Sequence, residues 1–304
     1  MGIRDRMPAR TQMAVQTPRR RVRIFSYRHV GAAAMKNGWE KPIIEWRESF
    51  ERNRRAPYGW LSLVGLDFLN PGDNTVGSAK TAQVRLPTHC PPEVGILSLK
   101  EEYIIFAPSP SANIYFRNAS VTEPIPLTAE EEDAVLEVGN VRFYVLRRGD
   151  GFCVRIKDPA APSRQGYKGM QWFDPKPEWV MSGRFCPSEH PETIEFPNAL
   201  GGIDRVLVPG AVEFTLGNQT HLLWVQGSQD SGFFIVFGDD TNGRETYPPG
   251  RFLWTASPRD NNVILDFNRA VSPPCALTDF ATCPYPPAKN RLALPIEAGE
   301  RFSR

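Results

Sequence analysis

Residues 135–146, Val-Leu-Glu-Val-Gly-Asn-Val-Arg-Phe-Tyr-Val-Leu, contain two short apolar runs on either side of a Gly-Asn pair. Gly139-Asn140 is a favoured two-residue turn between antiparallel strands. The run that follows the turn alternates apolar and polar residues over much of its length, as a strand with one buried face does. This stretch therefore predicts a β-hairpin.

Similar short runs continue through most of the chain. Further strand candidates lie at residues 102–106, 114–116, 152–156, 193–196, 205–208, 211–216, 221–226, 232–237, 250–254 and 263–267. Turn residues separate them, and hardly a helix stands between them. The one clear helix candidate is residues 41–55, with Pro42 in its first turn and Pro57 just beyond its end. The sequence predicts a mainly β protein, an antiparallel β-sandwich or open barrel with one N-terminal helix.

The charge is unevenly distributed along the 304 residues. Residues 1–34 hold eight arginines and one acid, which gives +7, so the other 270 residues sum to −5 in a chain of net charge +2. A mildly acidic body argues against a nucleic-acid partner. No segment approaches the ~20 apolar residues of a membrane helix, so no membrane partner is expected.

The basic N-terminus predicts a domain boundary. Residues 1–38 are interpreted as a disordered leader, either a mitochondrial transit segment or an upstream-start artefact, and residues 39–304 as a single β-rich domain. Five scattered cysteines without a signal peptide favour a reducing compartment. The expected location is cytoplasmic, with mitochondria as the alternative, and a homodimer is compatible with the sequence.

Residues 237–251, Phe-Gly-Asp-Asp-Thr-Asn-Gly-Arg-Glu-Thr-Tyr-Pro-Pro-Gly-Arg, contain the densest group of candidate catalytic side chains. Asp239, Asp240 and Tyr247 are the predicted catalytic residues. Arg251 is a predicted substrate-binding residue, because a guanidinium binds carboxylate or phosphate with two hydrogen bonds. The alternative is a hairpin whose Asp side chains cap their own turn and pair with that Arg.

Four more residues are predicted to bind substrate. Arg155 ends a strand, and an inward Arg there marks a site unless it is solvated. Trp172 lies in an aromatic, Pro-bounded loop that either walls a ligand or plugs the sheet. Asn268 and Arg291 belong to the Pro-rich residues 265–292, which are expected to form an ordered, rigid loop.

No metal site or cofactor is predicted. The four histidines are isolated from one another, and no CxxC pair is present. Cys275 and Cys283 have no His near them in sequence, so the preferred interpretation is packing, or an adventitious disulfide, and not nucleophilic catalysis.

The chain resembles domain-of-unknown-function family 1684 over residues 40–302. The motifs that carry the resemblance lie at residues 58–66, 71–74, 154–158, 169–172, 209–210, 240–247, 250–252, 265–268, 273–276, 281–284, 290–292 and 298–300. The resemblance implies no particular reaction. This chain departs from the family pattern at Val271-Ser272, where similar sequences have Tyr-Asn, and at Pro248-Pro249, where a Gly-rich turn is usual.

Two functions from different classes follow from these features. The leading hypothesis is a cofactor-independent enzyme that uses acid–base or hydrolytic chemistry on a small anionic or polar substrate. The alternative is a non-catalytic domain that binds a small ligand or a partner through Trp172, Phe173 and Trp179. A pocket with a buried, perturbed carboxylate favours the enzyme, and a shallow aromatic surface favours the binder.

Overall fold

A computed structural model describes residues 38–129, 131 and 134–302 of the chain. The predicted basic leader therefore lies outside the described residues, except for Gly38. Among the residues described, no helix is long and apolar enough to cross a membrane.

One long helix precedes the sheets, as predicted. Helix α1 spans Lys41–Arg54, with a proline in its first turn, and α2 is a single turn at Pro162–Gln165. Helix α1 buries Ile43, Arg47 and Arg54, so two of its buried side chains carry charge. The described chain also contains short 3-10 turns at Trp60–Ser62, Pro177–Trp179, Phe267–Arg269, Pro274–Ala276 and Ala288–Asn290.

Two sheets in the N-terminal half pack as a sandwich. Their strands are β1 Leu63–Phe68, β2 Gly72–Gly77, β3 Val84–Arg85, β4 Gly95–Lys100, β5 Tyr103–Pro108, β6 Ile114–Phe116, β7 Ala119–Ser120, β8 Ile125–Leu127, β9 Leu136–Val138, β10 Val141–Arg148 and β11 Gly151–Lys157. One sheet has the order β1-β11-β10-β9-β6-β7 and the other β3-β2-β4-β5-β8. Phe106 and Phe143 meet edge to face at 6.0 Å in the core between them. The predicted hairpin at Gly139-Asn140 joins β9 to β10.

The C-terminal half is a six-stranded half-barrel. Its strands have the order β17-β16-β15-β14-β13-β18, and the short strands β12 and β19 pair separately. The bounds are β12 Gln171–Trp172, β13 Val180–Pro197, β14 Ile203–Leu216, β15 Gln219–Ser228, β16 Gly232–Phe237, β17 Arg251–Trp254, β18 Asn262–Asp266 and β19 Glu300–Arg301. Apart from the parallel pair β2–β3, the named strand pairs are antiparallel. The mainly β, antiparallel prediction is confirmed.

The Pro-rich residues 265–292 run along the half-barrel as an ordered segment. Within this segment, the Asn290 side chain accepts a hydrogen bond from the backbone N–H of Trp224 at 2.7 Å and donates one to the carbonyl oxygen of Val236 at 2.9 Å. The backbone of Gly238 bonds to residues 290 and 292 at 3.0 and 2.8 Å. Side-chain amides thus supply hydrogen bonds that prolines cannot donate.

Helix α1 covers one face of the half-barrel. Its Phe50 ring meets Trp60 edge to face at 5.3 Å and lies 6.2 Å from the ring of Trp254 on β17. Trp46 stacks on Phe50 at 5.1 Å. This aromatic contact fixes the helix on the sheet and leaves its charged face beside strands β12 and β19.

Candidate functional site

Asp239 and Arg251 form an ion pair inside the C-terminal half-barrel. Nη2 of Arg251 lies 2.6 Å from Oδ2 of Asp239, and neither side chain is accessible to solvent. Arg251 also donates to the carbonyl oxygens of Ile296 and Ala298. Oδ1 of Asp239 accepts from the backbone N–H and the hydroxyl of Thr241, at 2.9 and 2.5 Å. The geometry matches the structural alternative to a catalytic site, in which Asp239 caps its own turn and pairs with Arg251.

The other predicted catalytic and binding residues are spread over the molecule. The Tyr247 hydroxyl donates to the carbonyl oxygen of Cys275 at 3.1 Å, and burial raises the pKa of Tyr247. Arg155 bonds to a threonine hydroxyl of the Pro-rich segment. Asp240 and Arg291 are exposed. The eight predicted site residues therefore do not converge on one cavity.

An open pocket of about 470 Å³ lies along α1. Its lining residues are Ile44, Arg47, Glu48, Glu51, Arg52, Arg55 and Trp172. Positions 44, 47, 48, 51 and 52 of α1 and the C-cap residue Arg55 recur every three or four residues, so they share one face of the helix. The volume is in the range that holds a small molecule. Three arginines against two glutamates give the wall a net positive charge.

Arg47 connects the pocket to the Pro-rich segment. Its Nη2 donates to the carbonyl oxygen of Asn268 at 2.9 Å, and its Nη1 donates to that of Phe173 at 3.0 Å. The guanidinium lies 4.6 Å from the ring centroid of Trp172. Burial lowers the pKa of Arg47 to about 10, so it remains a cation at neutral pH.

Asn268 supports this wall indirectly. Its side chain binds both the N–H and the carbonyl oxygen of Lys176 at 2.9 Å, and it donates to Asp266 at 3.1 Å. Two predicted substrate-binding residues, Trp172 and Asn268, are thus brought to the pocket. Trp172 lines it, whereas the Asn268 side chain holds the adjoining loop.

Behind the pocket wall lies a chain of hydrogen-bonded groups. Oε1 of Glu51 accepts from Arg54 at 2.7 Å and from the Tyr167 hydroxyl at 3.1 Å. Arg54 also contacts the Tyr167 oxygen at 2.8 Å, and its Nη2 lies 2.5 Å from Oε1 of Glu300. Oε2 of Glu300 accepts from the backbone N–H of Ser272 at 2.7 Å. The chain runs from a pocket residue to a carboxyl group with no solvent exposure.

Burial makes Glu300 an acid that titrates near neutrality. Desolvation raises the pKa of Glu300 to about 7, against the opposing effects of Arg54 and the Ser272 N–H. Burial also acts to lower the pKa of Arg54, but Glu300, Tyr167 and Glu51 outweigh it and leave that pKa raised. Arg54 therefore stays charged on both sides of pH 7, and Glu300 is the partner that changes charge. Burial raises the pKa of Tyr167 as well.

Glu300 predicts a pH dependence of stability. Its pKa is higher in the folded chain than the ordinary 4.5, so the folded state binds the proton more tightly. This contribution to stability is full below pH ~4.5 and is lost as pH rises through about 7, by about 3 kcal/mol in total. Urea unfolding of the wild type and Glu300→Gln between pH 5 and 8 measures it. The variant should lack this slope, and parallel profiles would contradict the assignment.

Glu51, Arg54, Tyr167 and Glu300 were absent from the predicted site. In the sequence, Glu300 stands out only as part of the motif at residues 298–300, where a charged residue follows two small ones. Among the residues described, no group of three or more His, Cys, Asp or Glu side chains is placed to hold a metal ion.

The chain is thus β-rich, with an open, charged cavity along its N-terminal helix. Residues 165–301 match the family described as protein of unknown function (DUF1684), and the chain belongs to this family. An uncharacterized protein from Haloarcula marismortui, whose solution structure is known, shares 30% sequence identity with this chain. The match covers 46% of this chain and 79% of that one. Its TM-score of 0.39 is too low to support a structural inference. No curated protein matches the chain.

Proposed function

We propose that the protein is a cofactor-independent enzyme that binds a small organic anion along α1 and transfers a proton through Glu51. One observation carries the proposal. The pocket wall places the cations of Arg47 and Arg55 beside Glu51, whose carboxylate belongs to a chain ending at an acid with a pKa of about 7. Perturbed acids that lie next to a pocket are characteristic of catalytic sites.

Arg55 is the group available to bind the anion. In the described part of the chain, no carboxylate lies within ion-pair distance of its guanidinium, which sits 4.9 Å from the Tyr167 ring centroid. Arg47 is held by neutral carbonyl oxygens, so among the residues described its charge also lacks a directly bonded counter-ion. Trp172 adds an apolar surface for the carbon skeleton. A carboxylate with a small apolar part suits this wall.

Glu51 is the group assigned to proton transfer. Its Oε1 is fixed by Arg54 and Tyr167, whereas Oε2 is buried and has no hydrogen-bond partner among the described residues. In this proposal, the Glu51 side chain shifts on binding and brings this unpartnered oxygen to the ligand, where it accepts a proton. Glu300 is fully buried, so in this proposal it does not touch the ligand; its own ionisation changes the net charge of the pair that it forms with Arg54 behind Glu51.

Arg55→Gln is expected to weaken binding of benzoate and malonate roughly tenfold, the effect of losing a charge-assisted contact. Calorimetric titration of the full chain measures the dissociation constants. Lys41→Gln removes one positive charge from the same helix outside the pocket, because Lys41 is an exposed partner of Glu45. Equal weakening in both variants would show a nonspecific charge effect and would remove the basis for the pocket.

Proton transfer can be tested without knowing the reaction. The wild type is expected to exchange carbon-bound hydrogens of pyruvate, acetoacetate or malonate for deuterium in heavy water, as measured by proton NMR. Glu51→Gln should bind the same anion and lose at least about 100-fold of the exchange rate, the low end for a general base. Exchange that is unchanged in Glu51→Gln would refute the assignment of the base.

A binding protein without catalysis is the second candidate. It is favoured by the complete burial of the Glu300 side chain, which keeps the perturbed acid out of contact with any ligand. Anion binding without deuterium exchange across this panel would favour that function. A cytoplasmic location belongs to the same proposal and is supported by five cysteines that are all free thiols.

A further inference from the structure

Two arginines on adjacent strands converge on one hydroxyl group. Arg148 lies at the end of β10 and Arg155 lies on β11, where it is opposite Tyr144. Positions 144 and 148 share one face of β10, so both arginines project from the same face of the sheet. Nε of Arg148 lies 2.6 Å and Nη2 of Arg155 lies 3.0 Å from Oγ1 of Thr282. Thr282 comes from the Pro-rich segment.

This convergence places like charges together without a counter-ion. Among the residues described, no carboxylate lies within 4.0 Å of either guanidinium, whereas Arg142 and Arg147 on the same strand each have a Glu partner. Burial lowers the pKa of Arg148, and the charge of Arg155 lowers it further. Asp204 opposes this shift only from beyond ion-pair distance. An anion between the two arginines would relieve the repulsion.

The three side chains retain most of their donors. Each guanidinium has five N–H groups. Within the described chain, Arg148 spends two of them, on Thr282 and on the carbonyl oxygen of Arg147, and Arg155 spends one. Because Oγ1 of Thr282 accepts from both arginines, its own hydrogen is free to donate. The residues are partly exposed, so a small ion can reach them.

We propose that Arg148, Arg155 and Thr282 form a binding site for a tetrahedral oxyanion, inorganic phosphate or the phosphate group of a small monoester. Donors arriving from two strands and from the Pro-rich segment match an ion that presents oxygens in several directions. A carboxylate presents only two oxygens in one plane. Arg binds phosphate with parallel hydrogen bonds. The site shares no residue with the pocket along α1 and does not depend on the proposed function.

Phosphorus NMR and calorimetry with the full chain test the proposal, with inorganic phosphate in low-salt buffer as the probe. The wild type should bind phosphate saturably below about 10 mM. Arg148→Gln and Arg155→Gln should each weaken binding roughly tenfold or more, and Thr282→Val should weaken it by a smaller factor. Asp204→Asn should tighten binding, because it removes a negative charge that competes with the anion for Arg148.

Arg147→Gln is the matched control, since Arg147 neighbours Arg148 but pairs with Glu102 at 2.9 Å. It should bind phosphate as the wild type does. The same titrations are made with phenyl phosphate. If phenyl phosphate binds more tightly than inorganic phosphate, the site is assigned to a phosphate monoester. Absence of saturable binding in the wild type, or equal losses in Arg147→Gln and Thr282→Val, would overturn the proposal. Thr282→Val adds no charge change and remains informative if an Arg variant fails to fold.

Discussion

Replacing Arg251 with methionine is expected to lower the free energy of unfolding by about 3–5 kcal/mol, the loss typical of removing one partner from a buried ion pair. The guanidinium lies 2.6 Å from Asp239 and donates to two backbone carbonyl oxygens. Methionine fills much of the volume but supplies none of these hydrogen bonds. The carboxylate of Asp239 would remain buried, and among the described residues only Thr241 and the backbone N–H of Ile296 would still donate hydrogen bonds to it.

Urea unfolding at pH 7 measures this loss. Arg205→Met is the control, because Arg205 forms an exposed pair with Glu195 and should change stability by less than about 1 kcal/mol. The double variant Asp239→Asn with Arg251→Met should be less destabilised than the sum of the single variants. Wild-type stability in Arg251→Met would contradict the structural role and return the pair to the predicted catalytic site.

The fold was predictable because its strands are specified locally. The turn at Gly139-Asn140 and the alternation around it define a hairpin in 12 contiguous residues. Helix α1 likewise carries its own start signal in Pro42 and its own apolar face. The arrangement into one sandwich and one half-barrel was left open, since it depends on which faces of separate sheets meet.

The pairing of Asp239 with Arg251 was also accessible from sequence. The two residues flank one connection between neighbouring strands, and Phe237 stands opposite Arg251 in the register of β16 and β17. Sequence could not distinguish a solvent-facing pair from a buried one, because burial here depends on residues 296–298. Packing of a distant segment converted a plausible substrate site into an internal ion pair.

The pocket along α1 was not predictable for the same reason. Its hydrogen-bonded chain joins Arg54 to Glu300, which are 246 positions apart, and Arg47 to Asn268, which are 221 apart. No local motif marks such contacts. The charges on α1 are typical of an exposed helix, and only the docking of β19 makes one of them the partner of a buried acid.

Arg54→Met is therefore expected to cost about 3–5 kcal/mol at pH 8, where Glu300 would otherwise be ionised and would lose its only ion-pair partner among the described residues. Arg54 acts to lower the pKa of Glu300, so its removal should raise that pKa. The loss should be smaller at pH 5, because a neutral carboxyl group tolerates burial better than a carboxylate does.

Urea unfolding of the wild type and Arg54→Met at pH 5 and pH 8 tests this dependence. Arg52→Met provides the control on the same helix, since Arg52 is exposed and lies 3.9 Å from Glu48; its effect should be below about 1 kcal/mol at both pH values. Adding Glu300→Gln to Arg54→Met should recover stability at pH 8 and little at pH 5. A destabilisation by Arg54→Met that is equal at both pH values would mean that Glu300 does not titrate in this range. The acid would then be a fixed charge, and the hydrogen-bonded chain behind the pocket would have a purely structural role.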